Sequence, residues 1–492
     1  MPLFFVYFHR GLTPMKTEVI VVKTQTIAAI STAMSDSGIG IVRMSGEEAF
    51  MIADRIYEGK NGKKLAAQKS HTIHYGYIKD GEETIDEVLV MLMRGPHSYT
   101  GEDTVEVNCH GGVYLVRRVL ELMIKNGARP AEPGEFTKRA FLNGRLDLSQ
   151  AEAVGDLIAS QNEYALKSSV SQLKGNVKSK INDIRNKIIY HTAFIETALD
   201  DPEHISVDGY GEELRSAVNE LLLEINKLLS TCDNGRIIKE GIKTVIVGRP
   251  NAGKSSLLNV LVGEERAIVT EVAGTTRDIL EEHINLQGIS LNIIDTAGIR
   301  ETDDIVEKIG VDKAKMYADE ADLILYVIDA SAPLDENDRQ ILKMIYGKPA
   351  IILLNKTDLD MIITKEKIKD VYNASNPANN NISKSEEIQV IEVSAKNQNG
   401  IADFEEAVKN MFFEGNLSFN DEIYITNVRH KAALHDAGGS LQKVIDSIDM
   451  GMPEDFYSID LLDAYKSLGD ITGDTMGEDL INEIFSKFCM GK

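Results

Sequence analysis

The sequence predicts a multidomain fold: an α+β N-terminal domain, an all-α helical domain split in two along the chain, and an α/β domain inserted between its halves. Three patterns predict it. Short β-rich pieces separated by turn signals fill residues 16–150. Apolar residues at alternating steps of three and four begin near Leu146, and a helical pattern returns after Asn416. Between these two stretches, apolar strand-like runs alternate with helical segments. Steps of three and four lay one stripe along a helix, and strand–helix alternation marks a parallel sheet wrapped by helices. At about 100–200 residues per domain, 492 residues accommodate three such bodies.

The expected N-terminal strands are 24–30, 38–43, 85–93 and 104–108. The stripe that follows joins Leu166, Val170, Leu173, Val177, Ile181, Ile184 and Ile188 into one helix. A second helix covers 212–232, after which Gly235 and Gly241 punctuate the chain before a new domain. Strand-like runs at 244–247, 291–294, 323–328, 351–354 and 390–393 define the α/β domain. The Asn- and Ser-rich stretch 373–385 reads as a long surface loop. The expected domain boundaries are 16–142, 143–240, 241–415 and 416–492.

Composition excludes several classes. With 43% hydrophobic and 26% charged residues the chain is neither disordered nor collagenous. Its three cysteines, Cys109, Cys232 and Cys489, lack CxxC spacing, which argues against a disulfide framework and a structural zinc site and implies a reducing, cytoplasmic compartment. The longest apolar runs, such as 323–328, are far below the ~18 residues that span a bilayer, so no membrane association is expected. Residues 1–10 are aromatic-rich but have neither a basic n-region nor a cleavage site, and residues 1–14 read as an extension or an upstream start. The net charge, 53 − 77 = −24, counts against a nucleic-acid partner, since phosphate binding rests on clustered Lys and Arg.

Residues 248–255, GRPNAGKS, match GxxxxGK[ST], follow an expected strand and open a helical pattern. That context is what a phosphate-binding loop requires: backbone N–H groups close around phosphates at a helix N-terminus, Lys254 neutralises β and γ phosphates, and Ser255 holds Mg²⁺. Asp295-Thr296-Ala297-Gly298 supplies a carboxylate that reaches Mg²⁺ through water and an N–H that senses the γ-phosphate. Asn355-Lys356-Thr357-Asp358 places a carboxylate where it accepts from N1 and N2 of guanine, donors adenine lacks. Ser394-Ala395-Lys396 completes the base pocket. Any one of these tetrapeptides is more often an ordinary turn; four in register specify a GTPase. Where Ras-like GTPases carry a water-orienting Gln after the DxxG glycine, this chain has Ile299, which cannot orient water. Glu301, Asp303, Asp304 and Glu307 are the polar candidates nearby, and at least three of them are solvated loop charges.

The motifs GRPNAGKSSLLN from Gly248, GTTRD from Gly274, DTAGIRETDDIVEKIG from Asp295, GIVRMSG from Gly40, SYTGEDTVEVNCHGG from Ser98, PGEFTKRAFLNGRLDLSQAEA from Pro133 and the terminal CMGK together resemble the MnmE (TrmE) family of tRNA-modification GTPases, from about Thr24 to Lys492. The resemblance implies a tetrahydrofolate-binding N-terminal domain, which also dimerises, and a Ras-like G domain inserted into the helical domain. It implies a potassium-dependent GTPase that works with the flavoprotein MnmG (GidA) in a heterotetramer or larger complex. The pair installs a carboxymethylaminomethyl or aminomethyl group at C5 of the wobble uridine (position 34) of certain tRNAs, with a one-carbon unit from 5,10-methylene- or 5-formyl-tetrahydrofolate. The chain itself is implied to be a homodimer.

Carried over residue by residue, the resemblance implies a GTP site of Asn251, Ala252, Gly253, Lys254, Ser255, Ser256, Thr270, Glu271, Val272, Ala273, Gly274, Thr275, Thr276, Asp295, Thr296, Ala297, Gly298, Asn355, Lys356, Asp358, Ser394, Ala395 and Lys396. Ser255 and Thr276 match the Mg²⁺ ligands; Asn251, Thr270, Val272 and Thr275 match those of K⁺. Glu307 matches the catalytic position, which selects one of the four acids. Arg43, Glu106, Arg145 and Lys492 match folate contacts, a guanidinium suiting the glutamyl tail and a carboxylate the pterin donors. Arg145 stands where many relatives carry Lys, and Met490 where the tail usually has an aliphatic residue. Cys489 is either an anchor or a thiol near the folate.

Lys167, Lys174, Lys178, Lys180, Arg185 and Lys187, with Arg117, Arg118, Lys138 and Arg139, suggest a tRNA-contacting surface, although a solvated helix face is the default for such a run. The competing function is a regulatory GTPase switch in ribosome assembly or signalling, without one-carbon chemistry; such a switch needs no folate site.

Overall fold

The computed structural model describes residues 25–59, 62–204, 209–266, 282–286, 288–294, 317–374, 388–413, 423–488 and 491. The N-terminal part contains β1 (Ile27–Ile30), β2 (Ser37–Ser45), α1 (Ala49–Ile56), β3 (Tyr57–Gly59), β4 (Thr72–Asp80), β5 (Glu83–Met93), β6 (Thr104–Gly111), α2 (Val113–Lys125) and β7 (Arg129–Pro130). Seven strands form one sheet in the order β3-β4-β5-β6-β2-β1-β7, antiparallel except where β7 joins β1. Alternation sorts its faces: Val88, Val90 and Leu92 of β5 lie under α1 and α2 with Ile52, Val119 and Leu122, while Leu89 points away with Ile73 and Tyr75 of β4. Helices α3 (Glu135–Leu142), α4 (Leu148–Ala159), α5 (Glu163–Leu173), α6 (Asn176–Asp200), α7 (Tyr210–Ser230) and α8 (Cys232–Glu240) follow.

The single helix expected over the stripe is two helices. Gly175 breaks it at φ +91°, a left-handed conformation that L side chains rarely adopt, and Gly175 N donates to Gln172 O at 2.9 Å to close α5. Val177, Ile181, Ile184 and Ile188 are buried as the spacing requires, but Leu166 is exposed. Gly235 lies inside α8 rather than in a linker, whereas Gly241, at φ +82°, does end that helix.

The inserted domain comprises β8 (Ile242–Val247), α9 (Lys254–Arg266), β9 (Glu282–Leu286), β10 (Ile289–Ile293), β11 (Leu323–Asp329), α10 (Glu336–Met344), β12 (Ala350–Asn355), α11 (Lys365–Ala374), β13 (Gln389–Glu392) and α12 (Ile401–Phe413). Its six strands run β13-β12-β11-β8-β10-β9, all parallel except the β9–β10 hairpin. Both faces are covered, which is why the strands read as unbroken apolar runs: in β11, Leu323, Leu325 and Val327 enter one core cluster, and Ile324, Tyr326 and Ile328 the other. The chain ends in α13 (Val428–Asp449), α14 (Glu454–Thr472) and α15 (Glu478–Ser486). Thus α6 from before the inserted domain lies along α14 from after it.

Two compact units result. One joins the described residues of 1–158, 171–219 and 436–492; the other joins those of 159–170 and 220–435, so the start of α5, α8 and the start of α13 belong with the six-stranded sheet. Among the described residues no helix is long and apolar enough to cross a membrane.

Two of the charges assigned to a tRNA-contacting surface are internal. Arg139, 6% exposed, donates to Glu102 at 3.0 Å, to Glu135 at 2.9 Å and to the Gln25 carbonyl at 2.9 Å. Arg185, 7% exposed, pairs with Asp474 and lies 4.2 Å over the Tyr465 ring. Breaking a buried network such as that of Arg139 costs roughly 3–5 kcal/mol, and a carboxylate in place of the buried Arg185 would face Asp474, so charge reversal at either position would test folding rather than docking. Arg117 and Lys174 remain exposed.

Candidate functional site

In the six-stranded sheet β8 lies between β10 and β11, and the chain leaves it in opposite directions on its two sides. Ligand sites of doubly wound sheets lie at such switch points, beyond the carboxyl ends of the strands. Residues 248–253 occupy that place and lead into α9. Gly248 sits against the Val327 carbonyl at φ +152°, and Gly253, at φ +96°, faces the Asn355 side-chain amide; neither position has room for a Cβ. Asn251 is left-handed too, at φ +61°. This path bends the loop back over the start of α9, where the first backbone N–H groups are unpaired within the helix and suit an anion. Lys254 Nζ donates to the carbonyls of Gly248 and Arg249, both at 2.8 Å, and burial pulls its pKa down. Ala252 is buried, while Ser255 and Ser256 are exposed at the start of α9.

The base-pocket residues meet the loop through one side chain. Buried Asn355 donates to Ala252 O at 3.0 Å and accepts from Ala395 N at 3.1 Å, so it ties the phosphate loop to residues 394–396. Lys356, at φ +65°, pairs with Asp329 at 2.6 Å. Asp358 accepts from Ser394 Oγ at 2.7 Å, and that bond, then Lys396 and Lys356, holds its carboxyl below the usual range. Ser394 Oγ in turn accepts from Asn397 N at 3.2 Å. Sequence reasoning missed Asp329, which fixes Lys356; its only signal was its place at the end of a buried strand run.

Thr270, Glu271, Val272, Ala273, Gly274, Thr275, Thr276, Asp295, Thr296, Ala297, Gly298, Ile299, Glu301, Asp303, Asp304 and Glu307 lie outside the described residues, as do Cys489, Met490 and Lys492.

Three of the four expected folate contacts come together on the N-terminal sheet. Arg43 and Glu106 are cross-strand neighbours on β2 and β6, with Arg43 Nε 2.6 Å from Glu106 Oε1 and both side chains largely buried. The guanidinium of Arg43 lies 5.4 Å from the centre of the Tyr99 ring and 5.7 Å from that of Phe136. Arg145 approaches the same Tyr99 ring at 5.0 Å and donates to the Tyr99 carbonyl at 2.8 Å. Tyr99, which gathers both arginines, was not singled out from sequence. The C-terminal tail reaches this sheet: Ser31 Oγ donates to the carbonyl of Gly491 at 3.2 Å, and Gly491, at φ +86°, lies against Ile30 with no room for a side chain.

A glycine-bent loop at the switch point, tied by Asn355 to residues 394–396 beside Asp358, has the form of a P-loop guanine-nucleotide-binding domain. The other two parts of the chain narrow the class. Residues 26–145 match the GTP-binding protein TrmE N-terminus, and residues 148–489 match the MnmE helical domain. The chain is 58% identical over 471 residues to the tRNA modification GTPase MnmE of Lachnoclostridium phytofermentans, covering 96% of this chain and 100% of that one. It is 49% identical over 472 residues to the tRNA modification GTPase MnmE of Acetivibrio thermocellus, with 96% and 100% covered. The chain belongs to the MnmE family.

Proposed function

We propose that this chain hydrolyses GTP in the service of tRNA modification. With a flavoprotein partner of the MnmG (GidA) kind, it acts at C5 of the wobble uridine, leaving carboxymethylaminomethyluridine or aminomethyluridine. The observation that carries the reading is the meeting of Lys254, Asn355, Asp358 and Ser394 at one rim of the six-stranded sheet. Deleting the gene should remove both modified nucleosides from the wobble position in digested tRNA, and restoring it should return them. Unchanged wobble uridines would leave the regulatory-switch reading in its place.

In this reading Lys254 leaves the carbonyls of Gly248 and Arg249 for phosphate oxygens, and Asn355 keeps the phosphate and base halves of the pocket in register. Ser255, exposed where α9 begins, suits Mg²⁺ together with Thr276. Asn251, with Thr270, Val272 and Thr275, would hold K⁺. These ions supply positive charge where negative charge builds on the phosphates. Cys109 and Cys232 are buried cysteines outside any disulfide, as suits a reducing cytoplasm. Ile73, Tyr75 and Leu89, exposed on the β4–β5 part of the N-terminal sheet on the side away from α1 and α2, suit burial against a second copy of the chain.

A tetrahydrofolate also fits the residues, with one revision. Arg43 and Glu106 touch, so they cannot grip opposite ends of an elongated folate. Together they offer a donor beside carboxylate acceptors, complementary to the O4, N3–H and 2-amino edge of the pterin. Arg145, with Lys492, is left to meet the glutamyl carboxylates. The bound folate would supply the one-carbon unit. Replacing Glu106 with Gln should weaken equilibrium binding of 5-formyl-tetrahydrofolate roughly tenfold or more, because a charge-assisted pair of hydrogen bonds is halved. Unaltered affinity would remove Glu106 from the site.

A further inference from the structure

We propose that Arg249 is a positioning residue of the phosphate loop, clamped from outside the loop by Asp335 and Asp338. The inference rests on the GTP-binding reading and gives a part to Arg249, a position that GxxxxGK[ST] leaves unspecified. Arg249 is the second residue of the loop, and its guanidinium uses all three nitrogens. Nη1 donates to Asp335 Oδ2 at 2.9 Å, Nη2 to the Pro333 carbonyl at 3.2 Å, and Nε lies 3.2 Å from Asp338 Oδ2.

The clamp is itself built into the domain. Asp338 is 1% exposed and fully occupied: Oδ1 accepts from the Tyr326 hydroxyl at 2.6 Å, and Oδ2 also accepts from Asp335 N at 3.0 Å. Asp338 N returns a bond to Asp335 Oδ1 at 3.0 Å, which makes the two acids a capping box on α10. Tyr326 is wholly buried in the middle of β11. A continuous chain of bonds therefore runs from the centre of the sheet through Tyr326 and Asp338 to the Arg249 side chain. The Arg249 carbonyl, on the same residue, cradles Lys254 Nζ at 2.8 Å. Fixing the side chain fixes the backbone of Arg249, and with it the path of the loop whose N–H groups would enclose the phosphates in the bound state. A planar fork between two carboxylates resists rotation as a single ammonium would not.

Arg249→Met, in the full chain, should raise the dissociation rates of GDP and GTP about tenfold with little change in association rate, since such losses fall mainly on dissociation. Asp338→Asn should do the same. The double variant should be no worse than the more severe single one, because both break one network. Stopped-flow measurement with fluorescent nucleotides reads all three. Should Arg249→Met fail to fold, Arg249→Lys keeps the charge and loses the fork, and a smaller rise in dissociation rate is expected. Folded variants that release nucleotide like the wild type overturn the proposal. So does a lowered melting temperature of the nucleotide-free chain with unchanged dissociation, which would mark Arg249 as structural only. If the wild type binds no guanine nucleotide, the underlying reading fails instead.

Discussion

Asp358→Asn should invert nucleotide preference from GTP to XTP. The wild-type carboxylate has acceptors only, and guanine turns two kinds of donor towards it, N1–H and the 2-amino group. An Asn side chain keeps one acceptor and sets an N–H₂ where the second stood, so one hydrogen bond is lost and two donors collide. Xanthine carries a carbonyl in place of the 2-amino group and accepts from that N–H₂. The position is held for this purpose: Ser394 Oγ donates to Asp358 Oδ1 at 2.7 Å and is itself pinned by Asn397 N at 3.2 Å, so either side chain is presented in the same orientation. Sites built to hydrogen-bond one partner reject a mismatched one by large factors, and a loss of roughly 10²–10³-fold in GTP affinity is expected. Competition titrations with GDP and XDP read the change. A variant that still prefers guanine would show that Asp358 does not meet the base edge.

The nucleotide motifs were legible because each is a short run whose chemistry is local and whose place is set by the strand before it. The parallel strands were legible for a related reason: burial on both faces leaves unbroken apolar runs. What escaped depends on distant partners. β4 was hidden by Gly76, an unfavourable strand residue that is needed because a Cβ there would stand 2.5 Å from the Glu58 carbonyl. Arg185 reads as surface charge because its acid, Asp474, is 289 residues away; Arg139 has Glu135 four residues before it, but its other acid, Glu102, is 37 residues away. The touching of Arg43 and Glu106 is likewise a matter of register between β2 and β6, with 63 residues between them. The net charge of −24 is a weak guide to partners, since it sums over the whole chain while exposed bases such as Arg117 and Lys174 act locally.

Glu307→Ala should abolish multiple turnover of GTP while sparing its binding. The reason begins with Ile299: the residue after the DxxG glycine is apolar, so the group that orients the attacking water in Ras-like enzymes is missing from its usual place. Nothing in the described pocket replaces it. Asp358 accepts from Ser394, Lys254 donates to carbonyls of the loop, and Asn355 donates to the Ala252 carbonyl. A polar group from the acidic stretch after the DxxG motif must therefore act on water, and Glu307 is the acid that the family's pattern selects. Loss of a positioned base typically costs roughly 10²–10⁴-fold in rate, so kcat should fall by that order with the GTP dissociation constant unchanged. Glu307→Gln separates the two ways a carboxylate acts. An amide still orients water through hydrogen bonds but cannot take its proton, so partial activity in Gln with none in Ala would assign orientation as the main role. Alanine at Glu301, Asp303 or Asp304 should leave kcat near that of the wild type. Survival of turnover in Glu307→Ala, together with its loss in one of those three, would move the catalytic role to that residue.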